Sequence, residues 1–133
     1  MHNKYINLNI MIINVEQVYS KYPKKVIEYM QNLVDCLLQD YGKIPTSWRI
    51  SLDLIADNYD IYMKAKEAID NEGLLRKDTH GRTFKNQNIN IMNTAQEKII
   101  KLMSSFALTP MSRSKMKNLD NTSTKDELED LIA

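Results

Sequence analysis

The sequence predicts an all-α protein: a small helical domain with a helix-turn-helix-like pair and one short basic hairpin or loop. Three observations carry this expectation. Apolar residues recur at intervals of three and four along three long stretches, the period of a helix face. Only three glycines and three prolines interrupt the 133 residues, too few for a turn-rich β fold. Hydrophobic residues make up 43% of the chain, enough for one core and too many for a fully disordered segment. The expected organisation is an N-terminal arm at 1–22, a helical domain at 23–117, and a linker with an acidic C-terminal helix or tail at 118–133.

The arm alternates Ile6, Leu8, Ile10 and Ile12, which hints at a strand or a loose extended segment. It lacks a strong basic n-region and a small-residue cleavage site, so it does not read as a secretory signal. The first helix is expected from about Pro23 to Tyr41. Val26, Met30, Leu33, Leu37 and Tyr41 form its stripe, and Ile27, Val34 and Leu38 widen it. Pro23 suits a first turn, where a missing N–H has no partner to lose, and Gly42 suits the residue just past the end.

The second helix follows Pro45, with Thr46 or Ser47 as the cap, and ends before Gly73. Leu52, Ile55, Tyr59, Tyr62, Lys66 and Ile69 keep helical spacing, while Ile50, Leu54, Ile61, Ala65 and Ala68 add apolar surface on other sides. A helix apolar on two faces needs two partners: its own domain and, on the sharper reading, a neighbouring copy. Between Gly73 and Gln87 lies a short basic segment in which His80-Gly81 can turn a small hairpin. Ile89, Met92, Ala95, Ile99, Leu102 and Phe106 mark a third helix over about Asn88–Ser105. Thr109-Pro110 then starts a short helix bearing Arg113, Lys115 and Lys117, the layout of a helix-turn-helix. In the tail, Thr124 to Glu127 fits a capping box, and Leu128, Leu131 and Ile132 form one apolar edge.

Charge is distributed unevenly. Residues 74–117 carry nine Lys or Arg against Asp78 and Glu97, a local +7, whereas the whole chain is only +1. A basic block between acidic ends makes a directed field, to which polyanions respond more than to net charge. Several chemistries are not written in the chain. Gly42-Lys43 lacks the upstream glycine of a phosphate-binding loop. His2 and His80 have no partner at metal-ligand spacing. Cys36 falls inside the apolar stripe of the first helix and reads as core; as a lone cysteine it excludes an internal disulfide and suits a reducing compartment. Asp53, Asp57 and Asp60 share one helix surface without a converging partner, and read as a solvated face. No apolar run reaches the roughly 18 residues of a membrane span. No catalytic site, metal or cofactor is expected.

The run from Leu52 to Tyr62, with Ala65, Glu67 and Glu72-Gly73-Leu74, resembles the phage terminase small subunit of the P-twenty-seven type. So do the later run from Gly81 to Ile91 and, above all, Leu108-Thr109-Pro110 followed by Ser112-Arg113-Ser114-Lys115. The resemblance covers about Lys25 to Lys117 and keeps the order and spacing of all three runs. It departs from the family at Gln87-Asn88, where members commonly have Asn-Pro. The resemblance implies a non-catalytic packaging factor in the cytoplasm of the bacterial host. It would bind double-stranded viral DNA near the packaging start, assemble into a ring of several copies, and recruit the terminase large subunit, which carries ATPase and nuclease.

On this reading Arg113, Lys115 and Lys117 face DNA phosphates, supported by Arg76, Lys77, Arg82 and Lys85. Trp48, Leu52, Ile55, Tyr59 and Tyr62 pack helices within and between subunits, and Leu128, Leu131 and Ile132 dock on the large subunit. The competing expectation is a dimeric helix-turn-helix transcriptional regulator, and a third is a protein-binding helical adaptor whose basic face is incidental.

Overall fold

A computed structural model describes residues 10–106 of the chain. The elements in order are β1 (Ile10–Met11), α1 (Val15–Val18), α2 (Lys24–Tyr41), β2 (Ile44–Pro45), a 3-10 turn (Thr46–Trp48), α3 (Arg49–Glu72), β3 (Leu75–Lys77), β4 (Thr83–Lys85) and α4 (Asn88–Ser105). The chain divides into two units, Met1–Ile99 and Ile100–Ala133, so the boundary falls within α4.

The first unit is mostly helical. α2 is the centre of its packing: it lies against α1, α3 and β2. Its stripe buries Val26, Met30, Leu33, Val34 and Leu37, and α3 adds Leu52, Ile55, Ala56 and Ala65. Each fully buried Leu, Ile or Met side chain contributes roughly 1.5–3 kcal/mol relative to exposure. Gly42 closes α2 in the left-handed conformation, φ 73°, with its N–H donating to the Leu38 carbonyl oxygen at 2.7 Å. A side chain would strain that position, which is why a glycine stands there.

Two short antiparallel ladders complete the unit. β1 pairs with β2 in the register Ile10↔Pro45 and Met11↔Ile44. This ties the N-terminal segment to the link between α2 and α3, and Ile44 is buried there. Of the segment expected as an arm, the stretch from Ile10 to Tyr19 thus contacts the helical domain. Val15 and Tyr19 are both buried core residues, and the Asn14 side chain caps α1 by accepting from the Gln17 N–H.

Several expectations change at residue level. Thr46 and Ser47 do not cap α3; both sit inside the 3-10 turn, and neither Pro45 nor Trp48, which hold the cap positions, makes a side-chain cap bond. Cys36 is exposed rather than core, because the buried line on α2 runs through Leu33, Val34 and Leu37 and leaves position 36 turned away. Among the described residues, no helix is long and apolar enough to cross a membrane.

In the second unit the described residues are the end of α4. The Ser104 and Ser105 hydroxyls donate to the carbonyl oxygens of Ile100 and Leu102, and the Phe106 N–H to that of Met103. Such back-bonding satisfies carbonyls that a helix terminus leaves orphaned.

Candidate nucleic-acid interface

The segment after α3 begins at Gly73, and the chain reverses in a two-stranded antiparallel hairpin. β3 and β4 pair as Leu75↔Lys85, Arg76↔Phe84 and Lys77↔Thr83. The turn is built by Asp78. Its backbone N–H donates to the Arg82 carbonyl oxygen at 3.0 Å, and its carboxylate accepts from the N–H groups of His80 and Arg82, both at 2.9 Å. The loop between is Thr79-His80-Gly81, with Gly81 at φ 80°. A three-residue connection ending in a left-handed glycine is a common hairpin solution, because it keeps the right-handed strand twist. The lone acid of the hairpin is therefore folded back on the turn, and the cations are left outward.

The root of the hairpin is held by Asn86, a buried polar residue at 1% exposure. Its side-chain amide nitrogen donates to the Gly73 carbonyl oxygen at 2.8 Å and to a Glu72 carboxylate oxygen at 3.1 Å. Its side-chain oxygen accepts from the Asn88 N–H at 3.0 Å, which caps the start of α4. The departure at Gln87-Asn88 therefore leaves that helix start intact. Buried amides persist only when their hydrogen bonds are made, so this residue fixes how the hairpin leaves the body.

Of the cations expected to face DNA, Arg76, Lys77, Arg82 and Lys85 all stand exposed on this hairpin. Arg76 leans back on Glu72 at 3.5 Å, and Lys85 donates to the Asn90 side chain at 3.0 Å. Among the described residues, Lys77 and Arg82 form no ion pair. Arg113, Lys115 and Lys117, with the Thr109-Pro110 helix start, lie outside the described residues. So do Leu128, Leu131 and Ile132.

The residues expected at a subunit interface divide into two groups. Leu52 and Ile55 are fully buried in the chain's own core and have no surface left to offer a partner. Of the packing expected within and between subunits, these two serve the first: their row points inward against α2. Tyr59 stacks on Tyr29 with ring centroids 3.8 Å apart, Tyr62 lies 6.1 Å from Tyr59, and Trp48 meets Tyr41 edge-on at 5.3 Å. These three are half-buried. The apolar surface left open on α3 consists of Ile50, Leu54 and Ile61. Ile61 and Asn58, with Asn90, Ile91 and Lys98 of α4, line an open groove of about 300 Å³.

Sequence reasoning missed two features. The first is the environment of the aspartates on α3. Tyr19 donates its hydroxyl to Asp53 at 2.9 Å, Arg49 donates to the same oxygen at 3.0 Å, and the Tyr22 hydroxyl donates to Asp57. Asp60 is paired with Lys64 at 2.8 Å. Burial and then the bonded carboxylate push both tyrosine hydroxyls well above their usual range. Tyr29 is pushed up to about 12 by burial and by Tyr59. The face stays partly solvated, but the expectation that it lacks a converging partner is corrected: Asp53 and Asp57 are met by tyrosines 34 and 35 residues earlier. No spacing rule connects them. The second feature is a groove of about 570 Å³ between the start of α2 and α3, lined by Lys24, Lys25, Lys64 and Lys66 together with Glu67 and Asp70. Neither pair of lysines announces itself, because each lies in an acidic half of the chain. Among the described residues, no group of three or more His, Cys, Asp or Glu side chains could hold a metal ion.

The arrangement offers cations on a projecting ribbon, an apolar strip on α3, and no assembled acid, base or nucleophile among the described residues. In comparison with known proteins, the family described as phage terminase, small subunit, matches residues 31–123. That span includes α3, the hairpin and α4. No curated protein and no solved structure matches the chain.

Proposed function

Because this chain belongs to the phage terminase small-subunit family, we propose that it is the non-catalytic partner in phage DNA packaging, binding viral duplex DNA near the packaging start. It acts in the host cytoplasm as a homo-oligomeric ring and recruits the large subunit that carries ATPase and nuclease. The observation that carries the DNA-binding part is the hairpin. Lys77 and Arg82 project from it without ion-pair partners among the described residues, while its only acid is consumed in the turn. Exposed cations of this kind neutralise phosphates and release condensed counterions, which is the main term in duplex binding. Arg113, Lys115 and Lys117 are assigned the same role toward phosphates.

Ile50, Leu54 and Ile61 support assembly, since large apolar side chains exposed on one helix are stabilised by a second copy. Assembly multiplies weak contacts through effective concentration, so a modest charge per copy suffices. The tail edge of Leu128, Leu131 and Ile132 serves as the large-subunit dock.

Light scattering on a sizing column at two concentrations, followed by duplex titration at rising salt, tests this reading. A closed assembly well above a tetramer that binds DNA with a steep salt dependence is the expected result. A stable dimer would instead favour a transcriptional regulator, and absence of DNA affinity at low salt would favour an adaptor. Deleting residues 121–133 is expected to abolish stimulation of the large subunit while leaving DNA binding intact.

A further inference from the structure

The hairpin is a ribbon without a cover. All six of its strand residues are exposed, Leu75 at 63% and Phe84 at 41% among them. A two-stranded hairpin is marginal in water on its own. Here hydrogen bonds of Asp78 hold the turn and those of Asn86 hold the root, although little of the ribbon's area is buried. Such a ribbon is suited to fill a groove.

The pairing register sorts its side chains. Residues directly opposite in an antiparallel pair share a face, and alternate residues along a strand change face. Leu75, Lys85, Lys77 and Thr83 therefore lie on one face, and Arg76 and Phe84 on the other. The second face is turned back toward the body: Arg76 reaches Glu72 at the end of α3, and Phe84 is the less exposed of the two large apolar residues. On the first face Lys85, at the root, donates to Asn90 of α4 at 3.0 Å, while Lys77 and Thr83 lie exposed and opposite one another next to the turn, with Arg82 just beyond.

Paired strands lie about 4.8 Å apart, and with side chains a ribbon fits a major groove about 12 Å wide but not a minor groove of about 6 Å. Lysine donates to the O6 and N7 acceptors of guanine, and a threonine or leucine side chain meets the thymine methyl. Phosphates line both rims, within reach of a cation at the tip such as Arg82.

We propose that the tip of the β3–β4 ribbon inserts into the major groove of duplex DNA with Lys77 and Thr83 toward the base edges, and with Arg82 on a flanking phosphate. The inference rests on the DNA-binding reading above and adds to it the element, the groove and the face.

Site-directed cross-linking of the full chain tests it. Thr83→Cys is placed in a Cys36→Ser background, since Cys36 is itself exposed. The probes are mixed-sequence duplexes carrying a thiol tether either on cytosine N4, in the major groove, or on guanine N2, in the minor groove. The expected result is a disulfide cross-link to the cytosine tether alone, with Lys77→Ala weakening binding about tenfold, as loss of one good base contact does. Binding without a cross-link, or a cross-link to the guanine tether, overturns the inference while the DNA-binding reading stands. Lys77→Ala lowering the mass of the assembly without weakening DNA binding would make the ribbon a protein contact and also overturn it. Failure of the Cys36→Ser chain to bind any duplex at low salt removes both.

Discussion

Asn86 donates its side-chain amide to the Gly73 carbonyl oxygen at 2.8 Å across thirteen residues of chain, and so joins the end of α3 to the start of α4 at the root of the hairpin. Because it is buried, truncation strands several polar groups at once. Asn86→Ala is expected to cost about 2–3 kcal/mol in urea unfolding, since a buried group left without its partner costs its full desolvation. Asn86→Asp keeps the acceptor for the Asn88 N–H but loses the donors and sets a second carboxylate beside Glu72. Its stability deficit is expected to shrink as the pH is lowered from 7 toward 4, where the new carboxyl binds a proton and can donate.

The Tyr19–Asp53 bond gives the fold an alkaline limit. The hydroxyl of Tyr19 is raised above its usual value of 10 by burial first and by Asp53 second. A raised acid holds its proton in the folded chain while the unfolded chain loses it. Its contribution is therefore full below pH 10 and declines above that pH. Tyr19→Phe is expected to destabilise by about 1–2 kcal/mol at pH 8, the range for a hydrogen bond to a partly exposed charge. The gap between the parent and Tyr19→Phe should narrow above pH 10, and chemical denaturation at pH 8 and 11 measures it. A gap that stays constant would mean that the bond is not made in solution.

How far the sequence could be read follows the range of the interactions. α2, α3 and α4 were legible because their stripes and stop signals are local: Gly42 and Gly73 end helices near where the periodicity stops. The hairpin was legible through His80-Gly81, since a left-handed turn asks for glycine. What could not be read is pairing across the fold. Nothing local distinguishes Leu52, which is fully buried, from Leu54, which is 45% exposed, except which side of α3 meets α2. Tyr19 and Tyr22 find Asp53 and Asp57 only after the N-terminal segment docks. The same holds for Cys36, where one step around the helix separates core from solvent.

That division on α3 separates stability from assembly. Leu52→Ala is expected to cost about 2–5 kcal/mol, the range for emptying a buried leucine site. Leu54→Glu with Ile61→Glu should leave the helical circular dichroism unchanged, because both side chains already face solvent in the single chain. It is expected to lower the native mass seen by light scattering. An unchanged mass would exclude this strip as the contact between copies.

Arg82 and Arg76 carry the same charge, one directly after the Thr79-His80-Gly81 loop and the other three positions before it, yet their loss is expected to differ. Arg82 forms no ion pair among the described residues. Arg76 lies 3.5 Å from Glu72, and its side chain is 50% exposed, so part of its field is already met within the chain. Each phosphate contact contributes about 0.9 to the slope of log K against log salt on duplex DNA. Arg82→Ala should therefore lower the magnitude of that slope by about 0.9 per engaged copy. Arg76→Ala should lower it by less, because removing it also frees Glu72 to repel the duplex and so shifts affinity more than the count of released ions. Binding isotherms at four or more salt concentrations separate the two. Equal slopes for Arg82→Ala and the parent chain would remove the turn from the phosphate contacts.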